Sequence, residues 1–205
     1  MARRNVIAGG SPAAVSTLGY ALLGLLAREP LSGYDLAQRL KQRVGFFWQA
    51  AGHSHVYPEL GRLQAAGLAT HTEIDQARRP AKKVYAITDA GREALRRWVT
   101  TPSDPPARRD ERVLKAYSLW VADPAEVVAL FRAQEAEHLE RLARFEGIRA
   151  FSARQWEAAG QRRDSPPFAS LAALECGILQ ERAYAAWCRW VVEQVERGAD
   201  GGDSP

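Results

Sequence analysis

Cysteine, histidine and methionine are scarce: two, four and one in 205 residues. That leaves little material for cross-links or metal chemistry. Cys176 and Cys188 lie close together in sequence near one end, which fits reduced core thiols and speaks against a disulfide framework or a zinc site. Long apolar runs are also missing. The longest, from Leu18 to Ala27, is interrupted by Gly19 and Gly24 and is about half as long as a bilayer crossing requires. It stops at Arg28-Glu29-Pro30 with no small-residue cleavage site, so secretion is not indicated and the chain reads as cytoplasmic. No glycine-rich phosphate cradle of the Walker or dinucleotide type occurs. His53 and His55 lack a third metal ligand at helical spacing, and Glu135, Glu137 and Glu140 read as a solvated helix face, so neither metal, cofactor nor enzyme activity is expected.

What is present describes an ordinary globule: 46% apolar and 25% charged residues, with a mean hydropathy of −0.33. A chain of this size buries about 70% of its unfolded surface and needs no staple to fold. The charge is unevenly distributed. Residues 1–100 carry 14 Lys and Arg against 7 Asp and Glu, whereas residues 101–205 carry 14 against 17. The first half is therefore at +7 and the second at −3, and a polyanion would be drawn to the first.

Periodicity divides the chain further. Residues 1–12 and 197–205 are polar and rich in small residues and read as flexible ends. From Ala13, Val15, Leu18, Leu22, Leu25 and Leu26 recur at helical spacing. Ser32 and Asp35 predict the cap and first turn of a second helix carrying Leu36 and Leu40. A third helix is predicted from Ser54 as N-cap to Gly67 as C-cap, with Pro58 in its first turn. Its Val56, Leu60 and Leu63 face one way, and His55, Pro58 and Arg62 face the other. Strands at 68–74 and 82–88 flank a basic turn at 75–81, and Thr88 caps a further helix running to Thr100. Three small helices followed by a hairpin and a helix make a winged helix-turn-helix over residues 13–100.

The Pro-rich stretch at 101–107 reads as a linker. Beyond it, a helix at 109–120 precedes two long ones, at 124–159 and 168–196, in a helical domain spanning 108–196. The last helix carries two adjacent apolar stripes: Leu171, Leu174, Ile178, Ala185 and Val192, and beside them Tyr184, Trp187, Val191 and Val195. One stripe is expected to pack within the chain and the other on a second copy. The fold class is thus mainly α with a small β-hairpin: an N-terminal winged helix-turn-helix and a C-terminal helical dimerisation domain.

Four stretches carry a family resemblance: Leu18 to Leu26, Leu31-Ser32-Gly33-Tyr34-Asp35-Leu36, Tyr57-Pro58-Glu59-Leu60 with Arg62-Leu63 and Gly67-Leu68, and Val84 to Gly91. The sequence resembles transcriptional regulators of the PadR family. Asp110 to Lys115 and the Trp-rich last helix are similar to the longer, virulence-activator-type subfamily. The resemblance implies a homodimer that binds an inverted-repeat DNA operator, acting as a repressor released by a small aromatic ligand.

On this basis His55 and Arg62 are candidates for base edges or phosphates, while Ser54 and the helix N-terminus, together with His53 and Pro58, are candidates for the same DNA face. Ser32 is a phosphate candidate or simply a cap, and Tyr34 and Tyr57 lie at family positions near the DNA backbone or in the core. Arg78, Arg79, Lys82 and Lys83 suit a wing on phosphates or in the minor groove. Trp98, Trp120, Phe131, Tyr184, Trp187 and Trp190 form a possible ligand or dimer pocket, or ordinary core. The alternative of a different class is a winged-helix module for protein association without a specific DNA target.

Overall fold

A computed structural model describes residues 15–43, 53–76, 79–103 and 110–200. The chain divides into two compact units, residues 1–104 and 105–205.

In the first unit, α1 (Thr17–Leu26) starts later than the periodicity from Ala13 suggests, because Ser16 caps it by accepting from the Gly19 amide at 3.0 Å. A short strand β1 (Leu31–Ser32) precedes α2 (Gly33–Arg43), and α3 spans His53–Ala65. Two strands, β2 (Ala69–Gln76) and β3 (Arg79–Ile87), and helix α4 (Asp89–Thr100) complete the unit. The hairpin strands run further toward the turn than expected, and the wing is one side of a three-stranded antiparallel sheet ordered β1-β3-β2. Leu31 pairs with Tyr85 and Ser32 with Val84, so β1 covers the β3 edge that a bare hairpin would leave open. Two residues are too short a stretch to show strand periodicity, so the sequence pattern gives no sign of this strand.

The core of this unit is leucine. Leu22, Leu23 and Leu26 of α1, Leu36 and Leu40 of α2, and Val56, Leu60 and Leu63 of α3 are all at most 2% exposed. Tyr20 stacks on Trp98 at 4.6 Å between ring centres, fastening α4 to α1. The end of α3 is a glycine-dependent reversal: Gly67 has φ of +70°, its amide donates to the Gln64 carbonyl, and Leu68 donates to Leu63. Ser54 lies inside α3 and does not cap it, so Pro58 stands beyond the first turn. The proline leaves the Ser54 carbonyl without its usual donor, and Ser54 is on the exposed face where water reaches it.

In the second unit α5 (Glu111–Tyr117) is shorter than expected and gives way to a 3-10 turn, Leu119–Val121. Two helices of 35 residues each follow, α6 (Pro124–Ala158) and α7 (Pro166–Asp200). Asp123 caps α6 through the Ala125 and Glu126 amides, with Pro124 in the first position. The two helices pack antiparallel around Phe145, Leu174 and Ile178 at one end and Val127, Phe131, Cys188, Val191 and Val192 at the other. Ion pairs set the register: Glu135 with Arg189 at 2.7 Å, Arg141 with Glu181 at 3.1 Å, Glu146 with Arg182 at 2.5 Å. Glu135 is thus a half-buried interhelical partner and not part of a solvated face.

The second apolar stripe of α7 is largely covered within the chain, contrary to expectation. Ala116 and Leu119, brought in by α5 and the 3-10 turn, pack with Trp187 and Val195 against the same cluster that holds Val191. Of the two cysteines Cys188 is buried, and burial pushes its thiol pKa up; Cys176 is exposed.

The Thr88 hydroxyl accepts from the Gly91 amide at 3.1 Å and donates to the Gly67 carbonyl at 2.7 Å, tying the start of α4 to the end of α3. Replacing Thr88 with Ala should destabilise the fold by about 1–2 kcal/mol, and Ser should restore most of it. Urea unfolding should show a lower midpoint with an unchanged slope.

Candidate functional site

Burial of Val56, Leu60 and Leu63 turns the opposite face of α3 outward. Ser54, His55, Tyr57, Pro58, Gly61 and Arg62 are all exposed on it. His53 is the first residue of α3. This polar face borders a groove of about 580 Å³ whose lining includes Tyr34, Tyr57, Gln64, Lys82 and Lys83. Tyr34 and Tyr57 are exposed and do not belong to the core. Tyr57 crosses the start of α2: a β-carbon on Gly33 would lie 2.5 Å from its ring. Helix α2, helix α3 and strand β3 therefore all contribute to one surface.

Several polar groups of this surface are already paired. Ser32 is buried, its hydroxyl donates to Asp35 at 2.6 Å and accepts from the Asp35 amide at 3.2 Å, the geometry of a helix cap. Lys82 reaches the same Asp35 at 3.1 Å, and Lys83 reaches Glu73 at 3.5 Å. The Ser32 hydrogen bond, followed by that from Lys82, holds the Asp35 carboxyl below the ordinary carboxylate range. Arg62 is exposed and donates to Glu59, three residues before it on α3. Arg79 begins β3. Arg78 lies outside the described residues.

Of the six aromatics grouped as a pocket, Phe131, Trp187 and Tyr184 come together, Trp187 meeting Phe131 edge-on at 5.4 Å and Tyr184 at 6.1 Å between ring centres. Trp98 belongs to the first unit, on Tyr20. Trp120 and Trp190 are 85% and 57% exposed, and Phe131 is wholly buried. Tyr184 and Trp187 alone of the six line a groove of about 490 Å³, with Val113, Ala116, Tyr117 and Ala183. Counting aromatics ignores helix phase, which turns Trp120 and Trp190 outward.

Behind that groove stands a polar cluster that spacing does not disclose. Arg112 donates twice to Asp110, at 3.0 and 3.1 Å, and its guanidinium lies 4.4 Å from the centre of the Tyr184 ring. The Tyr184 hydroxyl donates to the same carboxylate. His138, 3% exposed, stacks on Tyr184 at 5.0 Å, with Nδ1 2.5 Å from Glu181 and Nε2 3.3 Å from Arg112. Arg112, then Tyr184, hold the Asp110 carboxyl far below the usual carboxylate range, and the bond to Asp110 pushes the Tyr184 phenol up. Among the described residues no group of three His, Cys, Asp or Glu is placed to hold a metal, and no described helix is long and apolar enough to cross a membrane.

The sequence model of the transcriptional regulator PadR-like family matches residues 22–97, and that of the virulence activator alpha C-terminal region matches residues 108–196. The chain is 31% identical over 181 residues to the negative transcriptional regulator PadR of Bacillus subtilis, covering 88% of this chain and 98% of that protein. The fold is similar to that of Bacillus subtilis PadR in complex with operator DNA, with a TM-score of 0.74, 31% identity and coverage of 88% and 99%. For the same protein in complex with p-coumaric acid the TM-score is 0.72 at 30% identity, with the same coverage of 88% and 99%.

Asp110 titrates lower when folded than in an unfolded chain, where about 3.9 applies. Its contribution to stability is therefore complete above about pH 5 and is lost as the pH falls through the folded value. Replacing Asp110 with Asn should lower the melting temperature near pH 7, and the gap to wild type should narrow below about pH 4 in thermal melts followed by circular dichroism.

Proposed function

This chain belongs to the PadR-like family of transcriptional regulators, and on that premise we propose that it binds an inverted-repeat operator in duplex DNA as a homodimer, with α3 in the major groove and the wing on the backbone. The carrying observation is the exposed face of α3, polar from Ser54 to Arg62 and bordered by Tyr34, Tyr57, Lys82 and Lys83. A 13-residue helix with one face wholly buried is sized for the major groove. In this proposal Arg62 and His55 meet base edges, while Ser54, Tyr34, Tyr57, Lys82, Lys83, Arg78 and Arg79 meet phosphates. The Ser32 side chain acts by capping α2. Residues 13–100 are the DNA-binding domain and residues 108–196 the dimerisation and effector domain, acting in the cytoplasm and without catalysis.

The repressor role is supported by the relative in Bacillus subtilis, named as a negative regulator, and effector release by that relative's complex with p-coumaric acid. For this chain the proposed effector is a small planar aromatic in the groove over Tyr184 and Trp187. The proposed dimer contact is the apolar surface of α5 and the 3-10 turn, where Val113, Leu114, Tyr117, Trp120 and Val121 are exposed.

Fluorescence anisotropy with the duplex upstream of the protein's own coding sequence tests the DNA role. Replacing Lys82 and Lys83 with Ala should weaken specific and unrelated duplexes alike and reduce the slope of log affinity against log salt by about 0.9 per lost phosphate contact. An unchanged slope removes these lysines from the interface. Size-exclusion chromatography with light scattering should give twice the chain mass of 22.6 kDa for the wild type and a single chain for Trp120→Asp. A wild-type monomer overturns the dimer.

A further inference from the structure

We propose that Glu59 is a positioning residue for sequence discrimination: without touching DNA, it holds the Arg62 guanidinium in the orientation in which it meets a base edge. The proposal rests on α3 being the DNA-reading helix.

Glu59 is the buried acid of the described residues, 3% exposed, yet it sits on the helix whose other face is wet. A buried carboxylate must find donors. One oxygen accepts from the Ser16 hydroxyl at 2.6 Å and the other from Arg62 Nη1. Ser16 is itself the cap of α1, accepting from the Gly19 amide. The first turn of α1 is fitted closely around this group, for a β-carbon on Gly19 would lie 2.6 Å from Glu59 Oε1. The carboxylate is thus fastened to a second helix and cannot follow Arg62 if the arginine moves.

Arg62 is different at its two ends. One N–H is directed inward to Glu59, while the side chain as a whole is 68% exposed. A guanidinium has five N–H donors in a rigid plane, so fixing one edge fixes where the others point. An unanchored arginine would have to freeze its rotamers on binding, and could serve several base steps equally well. The lysines of the same surface are held otherwise. Asp35 and Glu73, their partners, are substantially exposed, so water competes for those pairs and a phosphate can replace them. Water has little access to Glu59.

The test uses the full-length protein, the single variants Glu59→Gln, Arg62→Ala and Arg62→Lys, and the double variant that combines Glu59→Gln with Arg62→Ala. Each is measured on the upstream duplex and on a shuffled duplex of equal composition. Glutamine keeps an oxygen for Ser16 but turns its amide donors on Arg62. Glu59→Gln should lower the ratio of specific to shuffled affinity about tenfold, as should Arg62→Ala, and the double variant should lose no more than either. Shuffled affinity should stay level or rise, since an acid is removed. Arg62→Lys keeps a cation on Glu59 but loses the planar fork, so it should lose the same discrimination, and should Glu59→Gln melt early, discrimination retained in Arg62→Lys overturns the proposal. Nitrogen-15 spectra of the free protein should show a sharp Arg62 guanidinium signal in wild type and a broadened one in Glu59→Gln.

An equal loss when Glu59→Gln is added to Arg62→Ala, an unchanged ratio in Glu59→Gln, or an unchanged Arg62 signal overturns the proposal. A wild type that does not discriminate between the duplexes, with its Arg62 signal sharp, overturns instead the reading of α3 and, with it, the specificity role. A wild type that discriminates while Glu59→Gln does so equally overturns the positioning role alone.

Discussion

Packing of Val56, Leu60 and Leu63 against the leucines of α1 and α2 fixes the rotation of α3 about its own axis. Each of these side chains is worth about 1.5–3 kcal/mol on full burial. Successive residues on a helix are separated by about 100°, so rotating α3 by one residue would bring Glu59 and Arg62, or Gly61 and Gln64, to the places of Leu60 and Leu63. That is a far larger penalty than any contact on the exposed face could offset. The direction in which Arg62, His55 and Tyr57 present themselves is therefore decided on the side of the helix that no ligand meets. The same leucines hold β1 and β3 nearby through Leu31 and Tyr85, so the wing and the exposed face of α3 are referred to one core.

The helical unit solves its problem differently. Two helices of 35 residues could slide along each other by a turn and still bury apolar groups. Charged pairs at several heights, Glu135 with Arg189, Arg141 with Glu181 and Glu146 with Arg182, are satisfied together in only one register. Halfway along, His138 interrupts the apolar stripe of α6 and is matched by Glu181 and the Tyr184 face. Each pair contributes little alone. Their combined value is that a slip leaves His138 buried without partners, which costs more than the pairs gain.

The leucine spacing of α1 to α3 and the caps at Thr88 and Asp123 are legible in the sequence because both are local: a period of 3.6, or a donor two or three residues away. The outward face of α3 follows from the same period. Legibility fails where a partner is remote. Nothing beside Glu59 in the sequence marks it as buried, since its partner, the Ser16 hydroxyl, lies 43 residues earlier. The burial of His138 is visible from its place on the α6 stripe, but its partners Arg112 and Glu181 are 26 and 43 residues distant. Ser54 misleads for a local reason: a serine before an apolar period resembles a cap, yet α3 has already begun at His53. The two stripes of α7 read as one more than the chain itself can cover, because the sequence does not show that Ala116 of α5 and the following Leu119 pack against the cluster that holds Val191 and Val192.

The net charge of the first half, +7, already subtracts the acids that stand beside the cations of the exposed face. Lys82, Lys83 and Arg62 each stand beside an acid of the same unit. For the lysines this is a loan of position: a surface pair is worth about 0–1 kcal/mol, so a phosphate displaces Asp35 or Glu73 at small cost and the freed carboxylate returns to water. For Arg62 displacement would strand a carboxylate that water cannot readily reach, and such a group costs several kcal/mol. The arginine must then keep its inward bond and use its remaining donors outward. In the proposed DNA complex, phosphates, which are the same at every step of a duplex, are met by charges that yield, and base edges, which differ, by one that does not. On that proposal discrimination rests on the asymmetry: a side chain that could relax toward any acceptor would bind more sequences and distinguish fewer.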